Sequence, residues 1–408
     1  MWLTMRLAWR NIFRNKRRTI IAGIAIGVGL ATLIFTDALI QGMKSNMIQS
    51  ATAAYLGEGQ IHRRNFRLTQ DVDKTINNPE EVVAGLEKEA EVDAFTRRAE
   101  SFGMITSPAN LSSVMLVGVD PSNEKLLSHV DDNIQKGSFF EGGSERDIII
   151  GSGLADLLEV GLGDRVVITV SQARGGDLAQ ELFRVSGIYH FNIKEMDTGF
   201  AFIRLAKAQE MLGVGRGIHE IALKFKSIDF ASRKDNPFWE KYSAHGNEAV
   251  SWTVLLPQLK AVLKMTWVSL VFMSVLLFGI VAFGIINTLF MSLYERMFEF
   301  GVIRAVGTRP SGVRRLVVFE AGALAVLSIA MGIAIGFVVT FVVTKTGIDY
   351  RGIEFAGTTF YNLLYPQIHP QQFLIYPAAV FLFTLLVGLY PAAVASRMSI
   401  SDALRKSF

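Results

Sequence analysis

The sequence predicts an α-helical membrane protein with four transmembrane helices and a large mixed α+β extracytoplasmic domain inserted between spans one and two. Three observations carry that prediction. The 408 residues are 50% hydrophobic and yet 19% charged, too apolar for an ordinary soluble chain and too charged for a bundle of spans alone. Four stretches reach the roughly 20 mostly apolar residues needed to cross a bilayer core, and a long segment of mixed polarity separates the first from the second. Basic residues gather at particular ends of these stretches, which sets an orientation.

The segment 1–18 carries Arg6, Arg10, Arg14, Lys16, Arg17 and Arg18 ahead of the apolar run 19–43. That run is longer than a signal-peptide core and no small-x-small cleavage site follows it, so it reads as an uncleaved anchor. Asp37 sits near its outer end, where it is expected to reach the interface. Residues 44–264 form the inserted domain, expected in two lobes. Alternating stretches such as "GQIHRRNF", "DAFTRRAESFGMITS", "SSVMLVGVD", "RVVITVSQ", "QELFRVSGIYHF", "TGFAFIRL" and "EIALKFKS" read as strands. "PEEVVAGLEKEA", "GSGLADLLEV" and "AKAQEML" read as helices between them. Spans two, three and four follow at 265–293, 317–343 and 371–395, with a loop at 294–316, a short loop at 344–370 and a tail at 396–408. The loop 294–316 holds Arg304, Arg309, Arg314 and Arg315, and the tail holds Arg397, Arg405 and Lys406. In 344–370, Lys345 and Arg351 are offset by Asp349 and Glu354. The positive-inside rule therefore puts both termini and 294–316 in the cytoplasm and 44–264 outside. Small-residue spacings at Gly23/Gly27 and Gly332/Gly336 are candidate helix-contact faces.

Several chemistries are excluded. There is no cysteine, hence no disulfide, thiol catalysis or thiolate metal site. No GxxxxGK[ST] loop occurs, so the chain is not expected to bind ATP by itself. His62, His129, His190, His219, His245 and His369 show no metal-ligand spacing. "GVGRGIHE" (213–220) reads as a turn entering a strand, and "GSG" (151–153) lacks the second flank of a nucleophile elbow. No enzyme activity, cofactor or metal is expected. The net charge of +4, with its basic residues clustered, gives no reason to expect nucleic acid.

The loop after span two carries more charge than a turn needs. Tyr294, Met297/Phe298, Gly301/Val302 and Ala305 fall at helical spacing and make one apolar stripe. Gly307 suits a helix stop and Pro310 the start of the next helix. Glu295 and Glu299, at i and i+4, repel by a few tenths of a kcal/mol in an isolated helix, which a partner surface would offset. By composition alone the plainer reading is slightly favoured: a positive inside loop with a solvated Arg296–Glu299 pair.

A resemblance reverses that preference. "ERMFEFGVIRAVGTRPSGVRRLVVFEA" (295–321) resembles the cytoplasmic loop of the FtsX-like permease family, which includes MacB and the LolC/LolE lipoprotein-release permeases. "LAWRNIFRNKRRTIIAGIAIGVGLA" is similar to the family's amphipathic N-terminal helix and first span, and "YPAAVASRMSISDALRKSF" to its C-terminal signature, with Ile400 where proline is usual and Ser396 before Arg397. The order of one span, a large outer domain and three spans also matches. The resemblance implies a permease subunit of an ABC transporter of the mechanotransmission type, in the bacterial inner membrane with a periplasmic domain. It implies a coupling helix at 294–306 that docks on a separate, LolD-like ATPase through Glu295, Arg296, Phe298, Glu299, Arg304 and Gly307. A MacB protein carries its ATPase ahead of the first span, whereas here that span begins near residue 19, so a stand-alone permease is expected. It also implies a second permease protomer, identical or paralogous, and lipoprotein cargo. In LolC proteins the hairpin corresponding to 171–181 recruits the periplasmic chaperone LolA. Here that hairpin (Gln172, Arg174, Gly175, Gly176, Asp177) is short and has no proline, so LolC-like and LolE-like roles both stay open. A MacB-like efflux or envelope-signalling permease is the competing expectation.

Overall fold

The computed structural model describes residues 2–173, 175–191, 193–350, 354–355, 358–359 and 363–398. They divide into a membrane unit (residues 1–44, 263–350 and 362–408) and an inserted unit (residues 45–262 with 351–361).

The membrane unit is built from helices Trp2–Arg14, Lys16–Ala51, Pro257–Glu295, Met297–Ala305, Pro310–Thr346 and Gln372–Arg397, two of which run on beyond the unit. Four are long and apolar enough to cross a membrane. The second of these four has 39 residues, about 58 Å at 1.5 Å per residue, nearly twice a ~30 Å hydrocarbon core. Its outward side chains, Phe272, Val275, Ile280 and Phe283 among them, are exposed hydrophobics, as a lipid-facing helix requires. Inward, Ile26, Leu30 and Ile34 of the first span pack with Val281, Ile285 and Leu289 of the second and Leu324 of the third.

The two small-residue spacings prove to be one contact. Gly23 and Gly27 of the first span face Ser328, Met331 and Gly332 of the third, and a Cβ built on Gly332 would lie 2.8 Å from the Gly27 carbonyl oxygen. Only glycine allows the backbones so close, and close approach is how helices gain dispersion energy where water gives no hydrophobic drive. Asp37 does not depend on reaching the interface: its carboxylate accepts from the Gln372 amide at the head of the fourth span (2.8 Å). An interhelical hydrogen bond satisfies it instead.

In the inserted unit ten strands form one mixed sheet. They are β1 (Gly59–Arg63), β2 (Val92–Thr106), β3 (Leu111–Val119), β4 (Ile134–Gly137), β5 (Asp147–Gly151), β6 (Arg165–Ser171), β7 (Leu178–Tyr189), β8 (Phe200–Arg204), β9 (Glu220–Phe225) and β10 (Asn247–Ser251). The order is β10-β1-β9-β2-β3-β8-β5-β7-β4, and β6 pairs with both β7 and the second half of β2. Pairing through β2, β3, β8, β5, β7 and β6 thus runs in a closed circuit, while β9, β1 and β10 extend from the first half of β2. One continuous sheet runs through both the circuit and the extension, because the 15-residue β2 belongs to both. One core joins Ile105, Leu116, Ile150, Ile168 and Phe183 to Leu154 and Ala208 of the helices Ser152–Leu158 and Leu205–Leu212.

On the opposite face of β2 lies a buried charged cluster. The Arg98 guanidinium, fully buried, donates to both Glu124 oxygens (2.6 and 3.1 Å), to Glu220 (2.7 Å) and to the Tyr55 carbonyl (2.7 Å). It also lies 3.9 Å over the Tyr55 ring. The Tyr55 hydroxyl donates to Glu100, His62 Nε2 meets Glu220 (3.2 Å), and the Glu100 backbone N–H donates to His219 Nδ1 (3.0 Å). Tyr55 stands on a π-turn, Thr52–Leu56, that continues the helix Lys16–Ala51.

Two measurements test these contacts. Gly332→Ala should destabilise the full chain in detergent by about 1–3 kcal/mol through overpacking. Gly284→Ala, where a Cβ meets nothing within 4 Å, should be neutral or stabilising by up to about 1 kcal/mol from helix propensity. Equal melting shifts would refute the glycine contact. Separately, burial and the nearby Glu220 charge push the Glu100 carboxyl from its ordinary 4.5 up to about 8. A raised carboxyl contributes stability that is full at acid pH and is lost as pH rises toward about 8. Melting of the full chain between those limits should therefore fall more steeply with pH than melting of Glu100→Gln.

Candidate functional site

The charged segment after the second span is a separate short helix. The long helix ends at Glu295, Arg296 leaves helical geometry (φ −113°, ψ 14°), and a new helix runs Met297–Ala305. The break puts Glu295 and Glu299 on different helices, so the expected i,i+4 repulsion does not arise. Gly307, at φ +105°, makes the turn that an L side chain would resist. Pro310 then opens the third span at its first helical position.

The expected single apolar stripe splits in two. Met297 and Phe300 are buried against Ala8 of the amphipathic helix, Leu293, Val313, Leu316 and Ala392. Tyr294, Phe298, Val302 and Val306 point outward, with Phe298 51% and Val306 84% exposed. Of these, Phe298 and Val302 lie one turn apart on the short helix and give it a second, exposed apolar face, while Tyr294 belongs to the preceding helix and Val306 to the turn that follows.

Arg296 is held inside the protein by carboxylates. Arg296 Nε donates to Glu299 (2.9 Å), and its Nη1 donates to Glu320. The Asn11 amide donates to the same Glu320 oxygen (2.7 Å), and Arg14 pairs with Glu299. This network joins the amphipathic helix, the short helix and the third span. The Arg296 guanidinium also sits 5.1 Å from the centre of the Phe300 ring. Burial opposes its charge, but Glu320 and Glu299 outweigh that and raise its pKa further. Burial likewise works against ionised Glu299, yet hydrogen bonds from Arg296 and Arg14 hold its pKa below the usual carboxylate value. The Arg296–Glu299 pair is thus not solvated as expected: the Arg296 side chain is only 11% exposed. Arg304 donates to the Met398 carbonyl, tying the short helix to the end of the fourth span. Glu320, Asn11 and Arg14 were not singled out by the motif. An acidic residue within the apolar run "VVFEAGALAVL" was the available signal.

At the β6–β7 hairpin, Gly175 (φ +82°) and Gly176 (φ +70°) form the tip. Gln172 N–H donates to the Asp177 carbonyl (2.8 Å), and Ala173 N–H donates to Leu212 at the end of the helix Leu205–Leu212 (2.9 Å). The base of the hairpin is therefore anchored rather than a mobile loop. Arg174 lies outside the described residues. Among the described residues no group of three or more His, Asp or Glu could hold a metal ion.

Two families match this chain. Residues 271–400 match the FtsX-like permease C-terminal family, and residues 19–231 match the MacB-like periplasmic core domain, half of the whole chain. The chain belongs to the FtsX-like, MacB-type permeases. As a family member it is an ABC-transporter permease, with a periplasmic-type domain between its first and second spans. It is 20% identical over 420 residues to the lipoprotein-releasing system transmembrane protein LolE of Haemophilus influenzae, covering 98% of each chain. It is 23% identical to LolC of Xylella fastidiosa, over 94% of this chain and 92% of that one. Among solved structures, the periplasmic region of MacB from Actinobacillus actinomycetemcomitans is 11% identical, covers 50% of this chain and 92% of its own, and has a TM-score of 0.34.

The permease's charge network makes an asymmetric prediction. Glu320→Ala leaves the buried Arg296 short of its main counter-charge and should cost about 3–5 kcal/mol. Glu299→Ala removes a carboxylate that is about a third exposed and should cost no more than about 1 kcal/mol. Thermal unfolding in detergent reads both, and similar losses would contradict the assignment of Glu320 as the main partner.

Proposed function

We propose that this permease works with a separate ABC ATPase, which docks on the helix Met297–Ala305, and that it releases lipoproteins from the inner membrane. The observation that carries the ATPase assignment is the exposed apolar pair Phe298 and Val302 on the short helix, with exposed Val306 just past its end. It lies in a segment followed by Arg304, Arg309, Arg314 and Arg315, which the positive-inside rule assigns to the cytoplasm along with both termini. An apolar face in water without a membrane to cover it marks a protein contact. The other face of the helix is tied to the amphipathic helix and the third span, so displacement by the ATPase would pass into the bundle rather than be absorbed by a loop.

Lipoprotein as cargo is supported by the near end-to-end likeness to proteins named as lipoprotein-releasing system subunits. Extraction of acyl chains needs external work, since each buried CH₂ is worth about 0.8 kcal/mol. The second protomer is taken to be a copy or paralogue of this chain, and a LolA-like chaperone at the anchored hairpin 171–181 is the proposed acceptor. The match to the MacB-like periplasmic core supports the second reading, an efflux or signalling permease whose outer domain grips another partner.

Phe298→Ala tests the docking face. Burial of such a side chain is worth roughly 1.5–3 kcal/mol, so the variant should insert normally but retain about a tenth or less of the wild-type ATPase affinity in pull-downs from native membranes. Undiminished ATPase binding would leave the segment as a positive inside loop. Lipoprotein co-purifying with the wild-type complex supports the release reading, and its consistent absence favours the second.

A further inference from the structure

The strands β3 and β8 are adjacent and parallel, with Val119 opposite Arg204 at their carboxyl ends. Each strand leads directly into a helix, β3 into Pro121–Leu127 and β8 into Leu205–Leu212. The two helices leave for opposite faces of the sheet. Leu205–Leu212 packs over Ala99 and Gly118, where a Cβ on Gly118 would lie 2.2 Å from that of Ala208. Pro121–Leu127 sends Glu124 to Arg98 on the other face. Where neighbouring parallel strands send their helices to opposite sides, a crevice opens beyond the strand ends, and such crevices bind ligands in open α/β sheets.

That crevice is present as a cavity of about 470 Å³, within the size range of small-molecule sites. Its lining includes Arg97, Arg204, Arg216, Gln209, Glu80 and Asp120. The carboxylates do not neutralise the arginines. Asp120 is engaged by the Ser122 N–H and the Asn123 amide, and neither acid forms an ion pair with a lining arginine. Arg204 is fixed by donating to the Phe140 and Ser144 carbonyls (2.6 and 3.2 Å). Those acceptors are neutral, so its charge is not cancelled. Arg97 and Arg216 have no ion-pair or hydrogen-bond partner among the described residues, and Arg97 is half-buried on β2. The first turn of Leu205–Leu212 has no side-chain cap.

The geometry points to an anion site here that takes a phosphate group between the Arg97 and Arg216 guanidiniums. Planar guanidinium forks recognise phosphate oxygens by paired hydrogen bonds, and the Gln209 amide, donating to the Gly217 carbonyl (3.0 Å), ties the turn that carries Arg216 to the helix Leu205–Leu212. The "GVGRGIHE" turn that the sequence offers only as a connection supplies Arg216. A free phosphate-bearing solute and the headgroup of an anionic lipid present the same chemistry.

The test is calorimetric titration of the full chain in detergent with inorganic phosphate and, separately, with sn-glycerol 3-phosphate. Saturable binding is expected, weakened about tenfold or more by Arg97→Gln and by Arg216→Gln, as loss of a charge-assisted hydrogen bond implies. Arg233→Gln, exposed and away from the cavity, should bind as wild type. Tighter binding of glycerol phosphate than of phosphate assigns the headgroup source, and the reverse assigns the free solute. No saturable binding of either compound overturns the site. So does binding that both arginine variants retain while melting as wild type. Neither result bears on ATPase docking or cargo, since the titration uses no partner.

Discussion

The inserted domain is organised around one buried positive charge. Removing a guanidinium from water is so unfavourable that every neighbour of Arg98 must be placed to meet it. Glu124 arrives from a helix, Glu220 from β9 and the Tyr55 carbonyl from the π-turn, so three separate pieces of chain are fixed in register by one side chain. The core on the other face of β2 is apolar and tolerant of shape. The charged face is not, because any shift of one piece leaves a buried ion short of a partner. That contrast explains why β2 can serve as the common strand of the closed circuit and of its extension.

Much of this was legible in the sequence, and the failures have physical reasons. Seven strands announced themselves by alternation in sequence; β6 also alternates in burial, whereas β1 and β9 are buried almost throughout, their polar His62 and Glu220 meeting in the charged cluster. β5 was missed: "DIIIG" is buried along its whole length, so there is no alternation to read. β4 and β10 are short and mostly polar in sequence. The membrane spans were legible because a bilayer imposes length and composition together. The pairing of Gly27 with Gly332 was not, since a spacing identifies a face but not which helix it meets.

At the short helix, the residue types were legible and their partners were not. Glu299, with like charges at i−4 and cations at i−3 and i+5, reads as a surface residue looking outward. Its cation from Arg14 comes from 285 residues away, and periodicity within a window cannot find such a contact. The same long-range packing split the apolar stripe, because the buried half answers to Ala8 and Ala392 while only the outer half is free for a partner.

The length of β2 has one more consequence. Two bodies that meet through a linker can turn independently, but a continuous strand has no pivot. Rotation of the β9-β1-β10 extension against the closed circuit would have to twist β2 itself over residues 99–102, where the β9 ladder has ended, the β6 ladder has not begun and β3 holds one edge. The two parts of the inserted domain are therefore joined by unbroken strand rather than by a linker, and one can turn against the other only as far as β2 itself will twist.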